Sequence, residues 1–145
     1  MKLKFYDENG KILSNLYDET ASKIANELVR KTGTDKWGNS RFNGVSSTQL
    51  RRLFDEVKRF ERNLKANPDS WEAVLPLIKM IKSKSAYSTS RAIKQSKYDA
   101  KYYSSLNDFI KSGIDNVKEY KDYKAFCLLF EAVYGFYYEL GGNKK

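Results

Sequence analysis

The chain has 145 residues, of which 41% are hydrophobic and only two are proline. These figures suit one folded, mainly helical domain that is long enough to bury a core. Histidine is absent, which removes the usual general base and the commonest metal ligand. The single cysteine, Cys127, excludes an intramolecular disulfide, and its place among apolar residues predicts a buried thiol rather than a nucleophile.

The formal net charge is +9, and most of it comes from the middle of the chain. Residues 51–101 contain thirteen Lys or Arg and six Asp or Glu, whereas the remaining residues contain fourteen and twelve. A positive field concentrated in one section favours a polyanionic partner such as nucleic acid. No segment has the apolar length of a membrane span or the uncharged core of a signal peptide, so we expect a cytoplasmic protein.

The N-terminal residues predict one helix after an ambiguous start. Asn9-Gly10 lies between weakly alternating residues and favours a short hairpin, although a disordered lead-in fits residues 2–13 equally well. Asp18 or Thr20 can then cap a helix that continues to about Lys31.

A loop is predicted after that helix. Residues 32–45 are rich in Gly, Asn and Ser, which punctuate regular structure. Trp37 and Phe42 lie within this stretch, and we expect their rings to anchor the loop onto the core. Stacking on nucleic-acid bases is the alternative role for these two rings.

The next helix has the clearest pattern in the chain. Ser46 and Gln49 have the spacing of a capping box, and the helix that they introduce runs from Leu50 to about Lys65. Asn67-Pro68 ends it, and Pro76 then either separates two short helices or kinks one. The apolar stripe of the first helix consists of Leu50, Leu53, Phe54, Val57, Phe60 and Leu64.

Two further helices are predicted between residues 77 and 112. The first, residues 77–95, has Ile78, Ile81, Ala86, Ala92 and Ile93 as candidate core positions. The same helix has a basic and aromatic face formed by Lys84, Tyr87, Arg91 and Lys94. The second, residues 97–112, should direct inward Tyr98, Tyr102, Leu106, Phe109 and Ile110.

The last helix is predicted from Tyr120 to Leu140 and ends at Gly141-Gly142. It is apolar nearly all round, which is typical of a helix in the middle of a bundle. Glu131 interrupts the apolar surface and is expected to make a structural hydrogen bond to a neighbouring helix. The apolar face consists of Tyr123, Phe126, Cys127, Phe130, Val133, Tyr134 and Tyr137.

The sequence therefore predicts an all-α fold, a compact bundle of about five helices that forms a single helical domain over residues 1–145. Most carboxylates fall on polar helix faces, and there is no phosphate-cradling glycine loop and no metal-ligand spacing. We therefore expect no catalytic site, metal or cofactor. Two basic helix faces in one section instead favour binding to the backbone of a nucleic acid.

Three short motifs occur in order along the chain and resemble one family. They are Ser47-Thr48-Gln49-Leu50-Arg51-Arg52, Lys84-x-Ala86-Tyr87-x-x-x-Arg91, and Phe130-Glu131-Ala132-Val133 followed by aromatics and Gly141-Gly142. In these the chain is similar to the small α-helical subunit of the type III-A CRISPR effector, the Csm complex. The resemblance covers residues 46–142 and leaves residues 1–45 as a variable N-terminal part. Ser90 and Gly135 depart from the family pattern.

This resemblance implies a non-catalytic subunit in antiviral defence. Several copies would line the inner filament of the complex, beside other Csm subunits, and bind the backbone of the guide RNA and target RNA. It implies neither a membrane nor a small-molecule substrate. The residues implied to contact RNA by motif position are Arg51, Arg52, Lys84 and Arg91. Helix geometry adds Lys58 and Arg59.

Two other classes of function fit the same residues. One is a basic helical DNA-binding regulator, in which the turn at Asn67-Pro68 would belong to a helix-turn-helix. The other is a protein-only adaptor, whose charged faces would meet acidic partner surfaces.

Overall fold

A computed structural model describes residues 2–145, and helices dominate it. Five helices have nine residues or more, and one short helix and a two-stranded sheet precede them. No helix among the described residues combines the length and the apolarity that a bilayer crossing needs. In chain order the elements are α1 (Ala21–Asn26), β1 (Val29–Thr34), β2 (Ser40–Gly44), α2 (Ser47–Ala66), α3 (Trp71–Lys79), α4 (Ile81–Gln95), α5 (Ala100–Asp115) and α6 (Tyr120–Glu139).

The prediction of an all-α fold is wrong between Glu27 and Gly44. The first helix ends at Asn26 rather than Lys31, and the predicted loop is an antiparallel hairpin in which Val29 pairs with Gly44. Gly44 has φ +151° and packs against the Leu28 carbonyl, so a side chain has no room there. An antiparallel hairpin, rather than an irregular loop, therefore follows α1.

The two aromatic residues of this hairpin have different environments. Trp37 lies in the turn, where the Asp35 carboxylate accepts hydrogen bonds from the Trp37 and Asn39 amides, both at 2.9 Å. The Trp37 side chain is 74% exposed, so the prediction that it anchors onto the core is wrong. Phe42 is half-buried and packs beside Gly141, as an anchor should.

The N-terminal segment is ordered and packs onto the helices. The predicted turn at Asn9-Gly10 is present, but the pairing is limited to one bridge, between Tyr6 and Ile12. Phe5 is buried in the core, and the Tyr6 hydroxyl donates to Asp122 Oδ1 at 2.7 Å. The hairpin interpretation of residues 2–13 is therefore the better one, because tertiary contacts supply the order that an isolated hairpin lacks.

The core is organised around α6, which was predicted from its apolar spacing. Phe130 is fully buried, with ring centroids 5.4 Å from both Phe54 and Phe109. The predicted inward residues are all buried except the half-buried Tyr134. However, α6 is not apolar all round, because one stripe faces water: Lys121, Lys124, Leu128, Glu131, Gly135 and Tyr138.

Several other side chains lie elsewhere than predicted. Glu131 is exposed, and the buried carboxylates among the described residues are instead Glu61, Asp99 and Asp122. Tyr98 and Ile93 were expected inward, yet Tyr98 is 81% exposed and Ile93 is 40% exposed. Tyr98 comes before the first residue of α5, so the periodicity of that helix does not govern its direction.

The break in the second half of the chain falls at Met80 rather than Pro76. Pro76 is inside α3 as its sixth residue, so the helix continues past it although the hydrogen bond that an N–H there would donate to the Glu72 carbonyl is missing. The Lys79 amine then caps the end of α5 by donating to the carbonyls of Ile114 and Val117, both at 2.9 Å. A cation at a helix C-terminus satisfies free carbonyls and favours the helix dipole.

We expect Phe130→Ala to lower the free energy of unfolding by about 3–5 kcal/mol, because it empties a fully buried aromatic site. A urea melt followed by circular dichroism measures this. Leu128→Ala on the exposed stripe of the same helix is the control and should cost under about 1 kcal/mol. Equal losses in the two variants would contradict the placement of Phe130 in the core.

Lys79→Met should lower the free energy of unfolding by about 1–3 kcal/mol, since it leaves the Val117 carbonyl without its donor and leaves the Ile114 carbonyl with the Val117 amide alone. Lys82→Met is the matched control, because Lys82 pairs only with the exposed Asp115 carboxylate. The same melt should give a loss below about 1 kcal/mol for that control. If the Lys79→Met protein were as stable as the wild type, that result would contradict the capping role of Lys79.

Candidate nucleic-acid interface

A groove of about 380 Å³ lies between α2 and α4, with Leu106 of α5 among its lining residues. Helical spacing explains both walls, because residues three, four and seven positions apart share one helix face. On α2 that face consists of Gln49, Arg52, Leu53 and Glu56. On α4 it consists of Lys84, Ser88, Arg91 and Gln95, with Tyr87 at its edge. We call this feature the α2–α4 groove.

Three cations line the α2–α4 groove. Arg52 comes from α2. Lys84 and Arg91 come from α4, where they are seven residues, or about two helical turns, apart. All three side chains are exposed. The Arg91 guanidinium lies 5.8 Å from the centroid of the Tyr87 ring, and Tyr87 is 65% exposed. A guanidinium over an aromatic face is restricted in its motion yet keeps donors free for a phosphate.

Glu56 moderates this positive charge. Its Oε1 accepts a hydrogen bond from Lys84 Nζ and another from Arg59 Nη2, the second at 2.9 Å. Partial burial raises the pKa of the Glu56 carboxyl, but the two bonds outweigh burial and hold that pKa below its usual value. Because the folded-state pKa is the lower one, the ion pairs persist at neutral pH and are lost only as the pH falls through that lowered pKa.

The structure brings together some of the predicted residues and not others. Arg52, Lys84 and Arg91 share the α2–α4 groove, and Arg59 joins its edge through Glu56. Arg51 and Lys58 lie on other sides of α2, roughly 140° and 160° from Glu56 around the helix by the 3.6-residue repeat.

Lys58 is engaged elsewhere. Its amine donates to the buried Glu61 carboxylate, and this bond raises the pKa of Lys58 above its usual value, against the effect of burial. The pair lies on the side of α2 that faces Cys127. The roles of Glu61 and Glu56 were not predicted from the sequence. The signal available for them was spacing, since Lys58 precedes Glu61 by three residues and Glu56 precedes Arg59 by three.

The outer face of α3 differs in chemistry from the α2–α4 groove. Trp71, Val74 and Ile78 pack inward, and the exposed side has Leu77 at 49% and Met80 at 55% exposure. An apolar surface of this kind offers few hydrogen-bond donors or acceptors to base edges.

Cys127 is fully buried, as predicted, and burial raises the pKa of its thiol well above the usual range. The thiol is therefore protonated and inaccessible at neutral pH. Among residues 2–145, no group of three or more Cys, Asp or Glu side chains is placed to hold a metal ion.

The model of one protein family, described as Csm2 Type III-A, matches residues 22–142. No curated protein and no solved structure matches the chain. The family match begins before the first sequence motif at Ser47, so it includes the β1–β2 hairpin and most of α1 as well as the helices that form the α2–α4 groove. The chain therefore belongs to the Csm2 family of type III-A CRISPR systems and is a small subunit of the Csm complex.

Proposed function

We propose that the α2–α4 groove binds the sugar-phosphate backbone of the guide RNA and target RNA in the Csm complex. The observation that supports this most directly is the convergence of Arg52, Lys84 and Arg91 on one groove from two separate helices. Arg52 belongs to the first of the three sequence motifs, and Lys84 and Arg91 belong to the second. These two motifs are more than thirty positions apart in the chain.

The chemistry of such binding is electrostatic and independent of sequence. Each Lys or Arg that contacts a phosphate releases counterions from the nucleic acid, and contacts to the backbone fix position without reading bases. In an RNA-guided effector, sequence is read by base pairing between guide and target. The protein then needs cations that converge on one surface, and Arg52, Lys84 and Arg91 do so in the α2–α4 groove.

In this proposal the subunit is a scaffold rather than an enzyme. Copies of it line the inner filament of the complex beside the other Csm subunits, and the groove holds the duplex in register.

The two alternative functions are less well supported. A helix-turn-helix regulator would present polar side chains on its second helix, whereas the exposed side of α3 has the apolar Leu77 and Met80. A protein-only adaptor would keep its partners after nuclease treatment and would not depend on the cations of the α2–α4 groove.

We expect Arg91→Ala to weaken RNA binding to a similar extent for every sequence, because Arg91 contacts the backbone in this proposal. Fluorescence anisotropy with two unrelated RNA duplexes across a salt series measures this. The slope of log K against log salt should become shallower by about 1. Arg62→Ala, which removes an exposed cation of α2 outside the groove, is the matched control.

A double variant, in which Arg52→Ala is added to Arg91→Ala, tests the function in cells. Tagged wild-type protein should recover Csm subunits together with short RNAs that have repeat-derived ends, and Arg91→Ala combined with Arg52→Ala should recover the subunits with less RNA. An unchanged RNA yield, with an unchanged salt slope in the first assay, would contradict the assignment of the groove.

Glu56→Gln should strengthen RNA binding roughly 2–10-fold at neutral pH, because it frees Lys84 and Arg59 and removes a negative charge from the groove. The salt slope should become steeper than that of the wild type. Glu27→Gln removes an equal charge from an exposed position at the end of α1 and should change the affinity much less. Weaker binding by Glu56→Gln would mean that the carboxylate positions the two cations rather than neutralises them.

A further inference from the structure

We propose that a second groove, between the β1–β2 hairpin and the start of α5, binds unpaired single-stranded nucleic acid. This proposal does not rest on the function of the α2–α4 groove, because it involves different elements and a different form of the ligand. The second groove has a volume of about 370 Å³. We call it the hairpin groove.

Cations line the hairpin groove without any carboxylate. Arg30 and Lys31 come from β1 and Lys101 comes from α5, and all three side chains are exposed. Within residues 2–145 none of them forms an ion pair, in contrast to Lys84, which Glu56 partly neutralises. Uncompensated cations in a concave surface attract a polyanion more strongly than the same charges in ion pairs.

An aromatic ring stands beside these cations. Tyr98 lines the hairpin groove from the turn between α4 and α5, and 81% of its side chain is exposed. The neighbouring Tyr102 is buried, and the Lys101 amine lies 5.1 Å from the centroid of its ring. Tyr98 is therefore the ring with a free face on which a base can stack.

The two walls of the hairpin groove are held together by hydrogen bonds. The buried Asp99 carboxylate accepts from the Gly44 amide of β2 at 2.8 Å and from the Ser96 hydroxyl at 3.2 Å. Arg30 is paired with Asn43 across the hairpin, so both side chains lie on the same face of the sheet. The bond between Asp99 and Gly44 thus fixes the backbone of the two walls against each other before a ligand arrives.

The exposed ring identifies the form of nucleic acid. In a duplex the bases are stacked on each other, and a protein reaches mainly the backbone and the groove edges. A single strand offers free base faces as well as phosphates, so it can use Tyr98 together with Arg30 and Lys101. A duplex would use the cations alone.

The test compares a twelve-nucleotide oligo-rU, the corresponding oligo-dT and a twelve-base-pair RNA duplex, each labelled with fluorescein, on the full chain at low salt. We expect Tyr98→Ala to weaken binding of one or both single strands at least 5-fold, because a base stacked on an aromatic ring contributes about 1–3 kcal/mol. Duplex affinity should stay within about 2-fold of the wild type.

Matched variants separate stacking from other effects. Tyr98→Phe keeps the ring and should retain wild-type affinity. Tyr138→Ala removes an exposed tyrosine from the outer stripe of α6, outside both grooves, and should leave single-strand binding unchanged. Arg30→Ala combined with Lys101→Ala should reduce the salt slope for single strands by about 1.4. A thermal melt checks that the Tyr98 variants, which alter an exposed side chain, remain folded.

Four results would overturn the proposal: wild-type protein that binds neither single strand, unchanged affinity of Tyr98→Ala, a Tyr98→Phe protein as weak as Tyr98→Ala, or a loss of single-strand binding caused by Tyr138→Ala instead. The proposal would also be overturned if tagged Arg30→Ala/Lys101→Ala protein recovered fewer Csm subunits while its nucleic-acid affinity was unchanged. That result would assign the hairpin groove to a protein partner.

Discussion

The fold depends on how the tyrosines of α6 are accommodated in the core. Tyr123 and Tyr137 are both fully buried, and a buried hydroxyl without a partner is costly. The Tyr123 hydroxyl donates to the Val57 carbonyl and the Tyr137 hydroxyl donates to the Val45 carbonyl, both at 2.6 Å. Because both carbonyls belong to α2 or to the residues just before it, these two bonds fix the position of α2 against α6. Burial raises the pKa of both hydroxyls, so they are protonated and act as donors at neutral pH.

This arrangement determines which side of α2 is available for binding. The face that packs on α6 holds the aromatic core, and the face turned toward α4 holds Arg52 and Glu56. Arg51 is only one residue from Arg52, yet a rotation of about 100° places it elsewhere on the helix. The α2–α4 groove is therefore a product of the core, since the α6 contacts decide which of the neighbouring cations of α2 converge with those of α4.

The long helices could be predicted from the sequence because their apolar spacing is periodic over many residues. Leu50, Val57 and Leu64 in α2 are an example, and all three are fully buried. The β1–β2 hairpin could not, since Ile24 and Leu28 continue a helical spacing and Gly33 and Gly38 resemble loop residues. What stabilises the hairpin is remote in sequence: the Gly44 amide is held by Asp99, 55 positions away. Arg52, Lys84 and Arg91 could be selected by motif and helix face, whereas the role of Glu56 depends on contacts between helices.

The burial of Cys127 also determines how the chain responds to chemical probes. It is the only cysteine, it is fully buried, and its thiol stays protonated at neutral pH. Maleimides and other thiol-directed labels react with accessible thiolates, so they do not label Cys127 in the folded chain. A cysteine introduced on any exposed helix face would consequently be the sole attachment point for a fluorophore or spin label, without prior removal of a native residue from the core. The packing of α6 thus makes the subunit suitable for distance measurements inside an assembled complex.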